Sequence, residues 1–225
     1  MRLLALDTTT TACSVAAGDD TALACRWDHL PQGHSDQILA MVDSALAELG
    51  WKRDSLDAVA CCRGPGSFTG VRVSTGVAQG LALGLDIPVV PVSTLATIAA
   101  SAMAGGERNV LVAMDARKGE VYWAAFEAGS ASPIALTPER VTPPSEVCLP
   151  ASEGGAWCGA GTGFSAYPQA LRDSLAIEHM HTQELPDARH CWSIARSLAA
   201  AGELGSAADA VPVYVRDDVA DRPRQ

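Results

Sequence analysis

Leu3-Leu4-Ala5-Leu6-Asp7-Thr8-Thr9-Thr10-Thr11-Ala12-Cys13-Ser14-Val15-Ala16-Ala17 is the stretch on which the fold turns. An apolar run over Leu3–Asp7 ends on a carboxylate, a threonine turn follows, and a second strand runs through Cys13–Ala17. The same order returns near mid-chain. Val110-Leu111-Val112-Ala113-Met114-Asp115 leads into the polar turn Ala116-Arg117-Lys118-Gly119-Glu120 and then into Val121–Phe126. Laying Asp7 on Asp115 also aligns Ala5 with Ala113, Ala16 with Ala124 and Ala17 with Ala125. Short strands joined by a few polar residues read as hairpins. Their recurrence at about half the chain predicts a duplicated unit.

Between the two hairpins the pattern changes to alternating helix and strand. Ala22–Arg26 reads as a third strand, and Ser35 as the cap of a helix to about Leu49, with Gly50 as its stop. Leu56–Cys62 is a strand, Gly70–Leu83 a helix ended by Gly84, and Pro88–Val92 a strand. Ser93 caps a helix from Thr94 to about Met103, and Gly105-Gly106 marks a joint. Beyond it, Ile134–Val141 and Ala156–Gly159 read as strands, Pro143-Pro144-Ser145 as a turn, and Asp187 as the cap of a helix to about Ala201. Hairpin strands followed by alternating helix and strand, done twice, predict an α/β protein of two ribonuclease-H-like lobes, each a mixed sheet with flanking helices. The lobes divide at residues 1–105 and 106–225, with the final helix and tail free to pack back on the first lobe.

Hydrophobic residues make up 48% of the 225 residues and charged ones 19%, which excludes wholesale disorder. The formal charge of −10 repels a phosphate backbone, so autonomous binding of nucleic acid is not expected. The start, Met1-Arg2-Leu3-Leu4-Ala5-Leu6-Asp7, is too short an apolar run for a signal peptide, and no window offers the apolar length of a membrane span. Seven cysteines without a C-x-x-C pair sit mostly in apolar runs, which predicts reduced thiols and a cytoplasmic location.

The densest motif is Arg63-Gly64-Pro65-Gly66-Ser67-Phe68-Thr69-Gly70-Val71-Arg72, between a strand and a helix. A glycine-rich turn at a helix N-terminus suits an anion. The G-x-x-x-x-G-K-[ST] pattern is absent, since no Lys follows Gly70, and a rigid structural or contact loop is the better reading. Ser67 or Thr69 can cap the helix. That helix is apolar or small almost all round, with Gly76 and Gly80 forming a flat strip. The preceding helix carries Ile38, Met41, Val42 and Ala45 in a stripe wider than the roughly 100° needed to dock on one sheet. Either the two helices cover each other or a partner completes the packing. Ile38, Met41, Val42, Ala45, Val73, Gly76, Val77 and Gly80 are the candidate contacts.

RGPGSFTGVRVSTGVAQGLALGLDIPVVPVSTL, from Arg63 to Leu95, resembles the signature of the bacterial TsaB (YeaZ) family. The opening LALDTTTTACSVA, the DARKGEVYWA at Asp115–Ala124 and the closing PVYVRDDVA at Pro212–Ala220 are similar to that family as well. The resemblance implies an actin/hexokinase-like duplication. It also implies a non-catalytic subunit that forms a heterodimer with TsaD, with TsaE in a larger complex. That complex transfers a threonylcarbamoyl group to the adenosine beside the anticodon of tRNAs reading codons that begin with A. The subunit meets tRNA only through the complex, and a homodimer is open to it in isolation. TsaD holds a metal with H-x-x-x-H, whereas Leu30 and His34 fill those places here, so no metal site carries over. The fold class has a phosphate turn resembling Asp-x-Gly-[Thr/Ser]. Asp7-Thr8-Thr9-Thr10 and Asp115-Ala116-Arg117 lack its glycine, and no cofactor is expected. His179 and His181 read as solvated residues, and Gly159-Ala160-Gly161-Thr162-Gly163 as a tight strand-to-helix turn. The competing readings are an ATP-hydrolysing enzyme of the same fold and a peptidase pairing Ser67 with His34.

Overall fold

A computed structural model describes residues 1–150, 155–173, 175, 177, 179–182 and 184–216. The tail beyond Arg216, with the end of the closing PVYVRDDVA motif, lies outside the described residues. The first lobe comprises β1 (Leu3–Asp7), β2 (Ala12–Gly18), β3 (Leu23–His29), α1 (His34–Glu48), β4 (Ala58–Cys62), α2 (Phe68–Leu85) and β5 (Val89–Val92), followed by α3 (Thr94–Ala104). The second contains β6 (Asn109–Asp115), β7 (Val121–Ala128), β8 (Pro133–Ala135), β9 (Arg140–Thr142), β10 (Trp157–Ala160), α4 (Gly163–Ala166), β11 (His179–His181) and α5 (Ala188–Ala200).

The duplication is explicit in the pairing. Sheet order is β3-β2-β1-β4-β5 in one lobe and β8-β7-β6-β10-β11 in the other, with β9 also pairing β7. β1 pairs β2 antiparallel and β4 parallel, and β6 pairs β7 antiparallel and β10 parallel. Asp7 stands opposite Ser14 at the end of one hairpin and Asp115 opposite Val121 at the end of the other. Two ribonuclease-H-like sheets related in this way form the actin/hexokinase-like fold that the sequence predicts.

Strands buried on both faces need cover on both, which explains why β1 is apolar from Leu3 to Leu6, up to its terminal Asp7. Leu4 and Leu6 pack with Ile38, Val42, Ala45 and Leu46 of α1 and with Ala78 and Ala82 of α2. Leu3 and Ala5, on the opposite face, pack with Cys191, Trp192 and Ala195 of α5. Trp192 Nε1 donates to the Leu3 carbonyl at 3.1 Å, and the Ala188 N–H donates to Ser14 Oγ at 2.9 Å. Leu95, Ile98 and Ala102 of α3 cover Val110, Val112 and Phe126 of the second sheet.

Three predicted boundaries fail for local reasons. α1 starts after Gly33 at φ 87° with no side-chain cap, and Ser35 lies inside the helix. α2 runs through Gly84 to Leu85, because Asp86 in the left-handed region (φ 54°) supplies the stop and donates its N–H to the Ala82 carbonyl. Asp is one of the few side chains that tolerates this region. The single strand expected over Ile134–Val141 is two, β8 and β9. Pro138 lacks the donor a continuous ladder needs, and Thr137 Oγ1 accepts from the Ala125 N–H at 2.9 Å in its place.

Candidate functional site

The lobes face each other across a cleft of about 990 Å³. Its walls are the threonine turn at Thr9–Thr11, the entry to α1 around His34, the loop Pro65–Gly70, the Asp115–Lys118 turn and the segment Val213–Arg216.

Asp7 does not reach this space. It is fully buried, and the turn after it folds back on it: the Thr9 N–H donates to Oδ1 at 2.8 Å, and the Thr9 hydroxyl lies 3.1 Å from both carboxylate oxygens. Burial raises its pKa from 3.8 to about 6 against the lowering pull of the Cys62 thiol and of the Thr9 amide and hydroxyl. Thr94 Oγ1 donates to Thr9 Oγ1 at 3.2 Å, closing the site from the α3 side.

The glycine-rich loop supplies the rest of the seal. The Ser67 N–H donates to the Thr9 carbonyl and Thr8 Oγ1 to the Gly70 carbonyl, both at 2.7 Å. A Cβ on Gly66 would lie 2.4 Å from the Thr9 carbonyl oxygen, and one on Gly70 would lie 2.0 Å from that of Thr8. These glycines therefore bring backbone onto backbone within the protein. Gly64, at φ 104°, sits under the Val213 carbonyl. Ser67 is the α2 cap, accepting from the Gly70 N–H at 3.4 Å, and Thr69 takes no part in capping. The second lobe repeats the device where the sequence reading saw only a turn. Gly161 (φ 104°) and Gly163 press on the Ala113 carbonyl of β6, and Thr162 Oγ1 accepts from the Asp115 N–H at 3.1 Å. Asp115 itself borders the cleft, where Oδ1 accepts from the Arg117 N–H at 2.9 Å and from the Tyr167 hydroxyl at 3.2 Å.

The charged ends of the loop face the other lobe and the C-terminal segment. Arg63 Nη1 meets Glu139 Oε2 at 3.2 Å, and the Ser93 hydroxyl donates to Glu139 Oε1. The Val213 N–H donates to the Arg63 carbonyl at 2.8 Å. Arg72 Nε donates to Tyr214 Oη at 2.8 Å while its guanidinium lies 3.6 Å from the Phe68 ring centroid. Phe68 and Tyr214 are 45% and 43% exposed, an aromatic–cation stack at the rim of the cleft. Glu139 escaped the sequence reading of this site, as did the partners of Ser93 and Arg72, because each contact joins residues far apart along the chain. Arg63 and Glu139 side chains are only 28% and 17% exposed, so removing one strands the other. Glu139→Ala is expected to cost about 1–3 kcal/mol in urea unfolding. A loss under about 0.5 kcal/mol would mean that water satisfies Arg63.

The pairing of the competing peptidase reading does not form. His34 Nε2 is buried without a hydrogen-bond partner, and the Ser67 hydroxyl serves the α2 cap, so no Ser67–His34 dyad is made. The helix-face candidates divide sharply. Ile38, Val42 and Ala45 are core residues, fully buried under the chain's own sheet, and are withdrawn from the surface. Met41, Val73 and Val77 are half-buried, and Gly76 and Gly80 are exposed. Leu39 and Leu83, at 41% and 79% exposure, are apolar surface that the candidate set omitted.

A family model described as TsaD, tRNA N6-adenosine threonylcarbamoyltransferase, matches residues 30–182. The chain is 39% identical to the tRNA threonylcarbamoyladenosine biosynthesis protein TsaB of Escherichia coli, covering 98% of this chain and 96% of that one. It is 36% identical to the TsaB of Haemophilus influenzae, covering 97% and 95%. A crystal structure of an uncharacterized Pseudomonas aeruginosa protein with similarity to peptidase YEAZ superposes with a TM-score of 0.91 at 39% identity, covering 96% of this chain and 99% of that one. A second, titled YeaZ from Pseudomonas aeruginosa, gives 0.90 at 39% identity over 95% and 99%. With a duplicated fold, a sealed first turn and nearly full-length matches, the chain belongs to the TsaB (YeaZ) family.

Proposed function

We propose that the chain is a non-catalytic subunit in the synthesis of threonylcarbamoyladenosine on tRNA, acting by docking on TsaD. The observation that carries the reading is the outer surface of α2. A Cβ placed at Gly76, Gly80 or Gly84 meets nothing within 4 Å, and Leu83 stands exposed along the same helix. Glycines cost a helix roughly 0.5–1 kcal/mol each relative to Ala, so three on an open face are explained by something that approaches the backbone closely. A helix of TsaD meets that need and buries Leu83. Met41, Val73 and Val77, half-buried in the lone chain, border the contact.

Asp7 supports the same reading, because a sealed carboxylate in the first lobe has no access to a magnesium-bound phosphate. The charge of −10 leaves tRNA to the partner, and TsaE joins the larger complex. Uncovered, the α2 face favours a homodimer that exchanges for the heterodimer.

Co-purification of the tagged chain followed by mass analysis tests the class of function, and recovery of TsaD is the expected result. Gly80→Leu and Gly76→Leu test the face, each weakening TsaD binding by at least about tenfold in titration calorimetry while the lone chain stays folded. If both variants bind as tightly as the parent, the contact lies elsewhere. Micromolar binding and turnover of magnesium-ATP by the isolated chain would instead favour an enzyme.

A further inference from the structure

The second lobe carries a mixed donor cluster at its β10–β11 sheet edge. β10 and β11 run parallel, with Cys158 opposite His179 and Ala160 opposite His181. Alternation along a strand puts His179 and His181 on one face, and Cys158 shares that face with Val110 and Ala160 beneath α3. Glu107, just before β6, reaches the same point: its Oε1 lies 3.8 Å from His179 Nδ1 and 3.8 Å from His181 Nε2. The donor atoms of Glu107, Cys158 and His181 all fall within 4.8 Å of one another.

We propose that Glu107, Cys158 and His181 bind a divalent metal ion of the zinc class, with His179 beside them, its Nδ1 3.8 Å from the same Glu107 oxygen. The donor set selects the ion. One sulfur, one or two imidazoles and one carboxylate suit zinc or cobalt, and are a poor match for magnesium or calcium, which take oxygen. Zinc–ligand lengths of about 2.0–2.3 Å place tetrahedral donors roughly 3.3–3.8 Å apart, so donor separations of up to 4.8 Å shorten by about 1.5 Å at most. The histidines can supply that movement, since the His179 and His181 side chains are 71% and 42% exposed, while Cys158 is fixed in the core.

A thiol gives up its proton when it ligates zinc, so uptake of the ion at Cys158 releases a proton. The ion would tie the β10–β11 edge to the start of β6, which gives it a structural role in this lobe.

Zinc alone, titrated calorimetrically into the full chain after chelator treatment, is expected to bind with one-to-one stoichiometry. Cobalt is expected to give a thiolate-to-metal charge-transfer band. Cys158→Ser should remove the band, and Glu107→Gln and His181→Ala should each weaken zinc by on the order of tenfold or more. Glu107→Gln alters a side chain 26% exposed and keeps the test independent of core packing. Retention of the band in Cys158→Ser would assign the metal to another thiol, such as the exposed Cys148, and overturn the proposal. So would zinc binding unchanged in Glu107→Gln and His181→Ala, or no binding by the parent chain, which would leave the cluster a plain ion pair.

Discussion

Gly70→Ala is expected to lower the melting temperature by roughly 6–12 °C, while Gly76→Ala, one and a half turns along the same helix, is expected to raise it by roughly 1–3 °C. The opposite signs follow from what each new methyl group meets. At Gly70 it would lie 2.0 Å from the Thr8 carbonyl oxygen, a backbone atom already fixed by the turn around Asp7. Relief requires α2 to back away, which breaks the 2.7 Å bond from Thr8 Oγ1 to the Gly70 carbonyl and loosens the one from the Ser67 N–H to Thr9. Overpacking against backbone with loss of a buried hydrogen bond costs about 3 kcal/mol or more. At Gly76 the methyl group enters open space, so only the gain in helix propensity of about 0.5–1 kcal/mol remains. Thermal melts by circular dichroism check both. A Gly70→Ala protein melting within about 2 °C of the parent would mean that the loop does not rest on the threonine turn as described.

That contrast marks what the sequence can disclose. The strand–carboxylate–turn–strand order at Leu3–Ala17 and Val110–Phe126 survives in a single sequence because burial on both faces forces continuous apolar runs. From it the duplicated lobes, the mixed sheets and the caps at Ser67, Ser93 and Asp187 follow. Glycine, by contrast, is silent about its reason. Gly70 and Gly76 look alike in the string, yet one admits a neighbouring backbone and the other lies bare. Helical spacing likewise ranked Ile38, Val42 and Ala45 as a docking face, although the sheet takes all of them. A stripe's width shows how much apolar surface a helix carries and leaves open whose surface covers it. Glu139 and Tyr214 were illegible for a different reason: their contacts with Arg63 and Arg72 depend on how the second lobe and the C-terminal segment return to the loop. The donors around Cys158 were illegible too, since His179 and His181 read as polar residues until β11 set them in register beside β10.

The second large effect is a pH dependence centred on Asp7. Its carboxyl has a folded-state pKa of about 6 against 3.8 in the open chain, with burial as the main cause and Asp187 adding a small push in the same direction. A folded acid with a raised pKa holds its proton more tightly than the unfolded chain does. The stability this contributes is therefore present below pH 4 and is lost as pH rises to about 6 and beyond. At 1.36 kcal/mol per pH unit, the shift amounts to about 3 kcal/mol in all, of which about 2–2.5 kcal/mol falls between pH 4 and pH 8. Asn at this position cannot ionise, and it keeps an oxygen for the Thr9 N–H that now donates to Oδ1. The difference in unfolding free energy between Asp7→Asn and the parent should therefore move in favour of the variant by about 2–2.5 kcal/mol from pH 4 to pH 8, since other titrating groups cancel in the comparison. Urea unfolding at several pH values measures it, and parallel stability curves would show that water reaches the carboxylate. A relative that used this turn to hold a magnesium-bound phosphate would need the carboxylate charged and open to the cleft. Here the threonine turn and the two loop glycines close it off, and the pH series reads that closure directly.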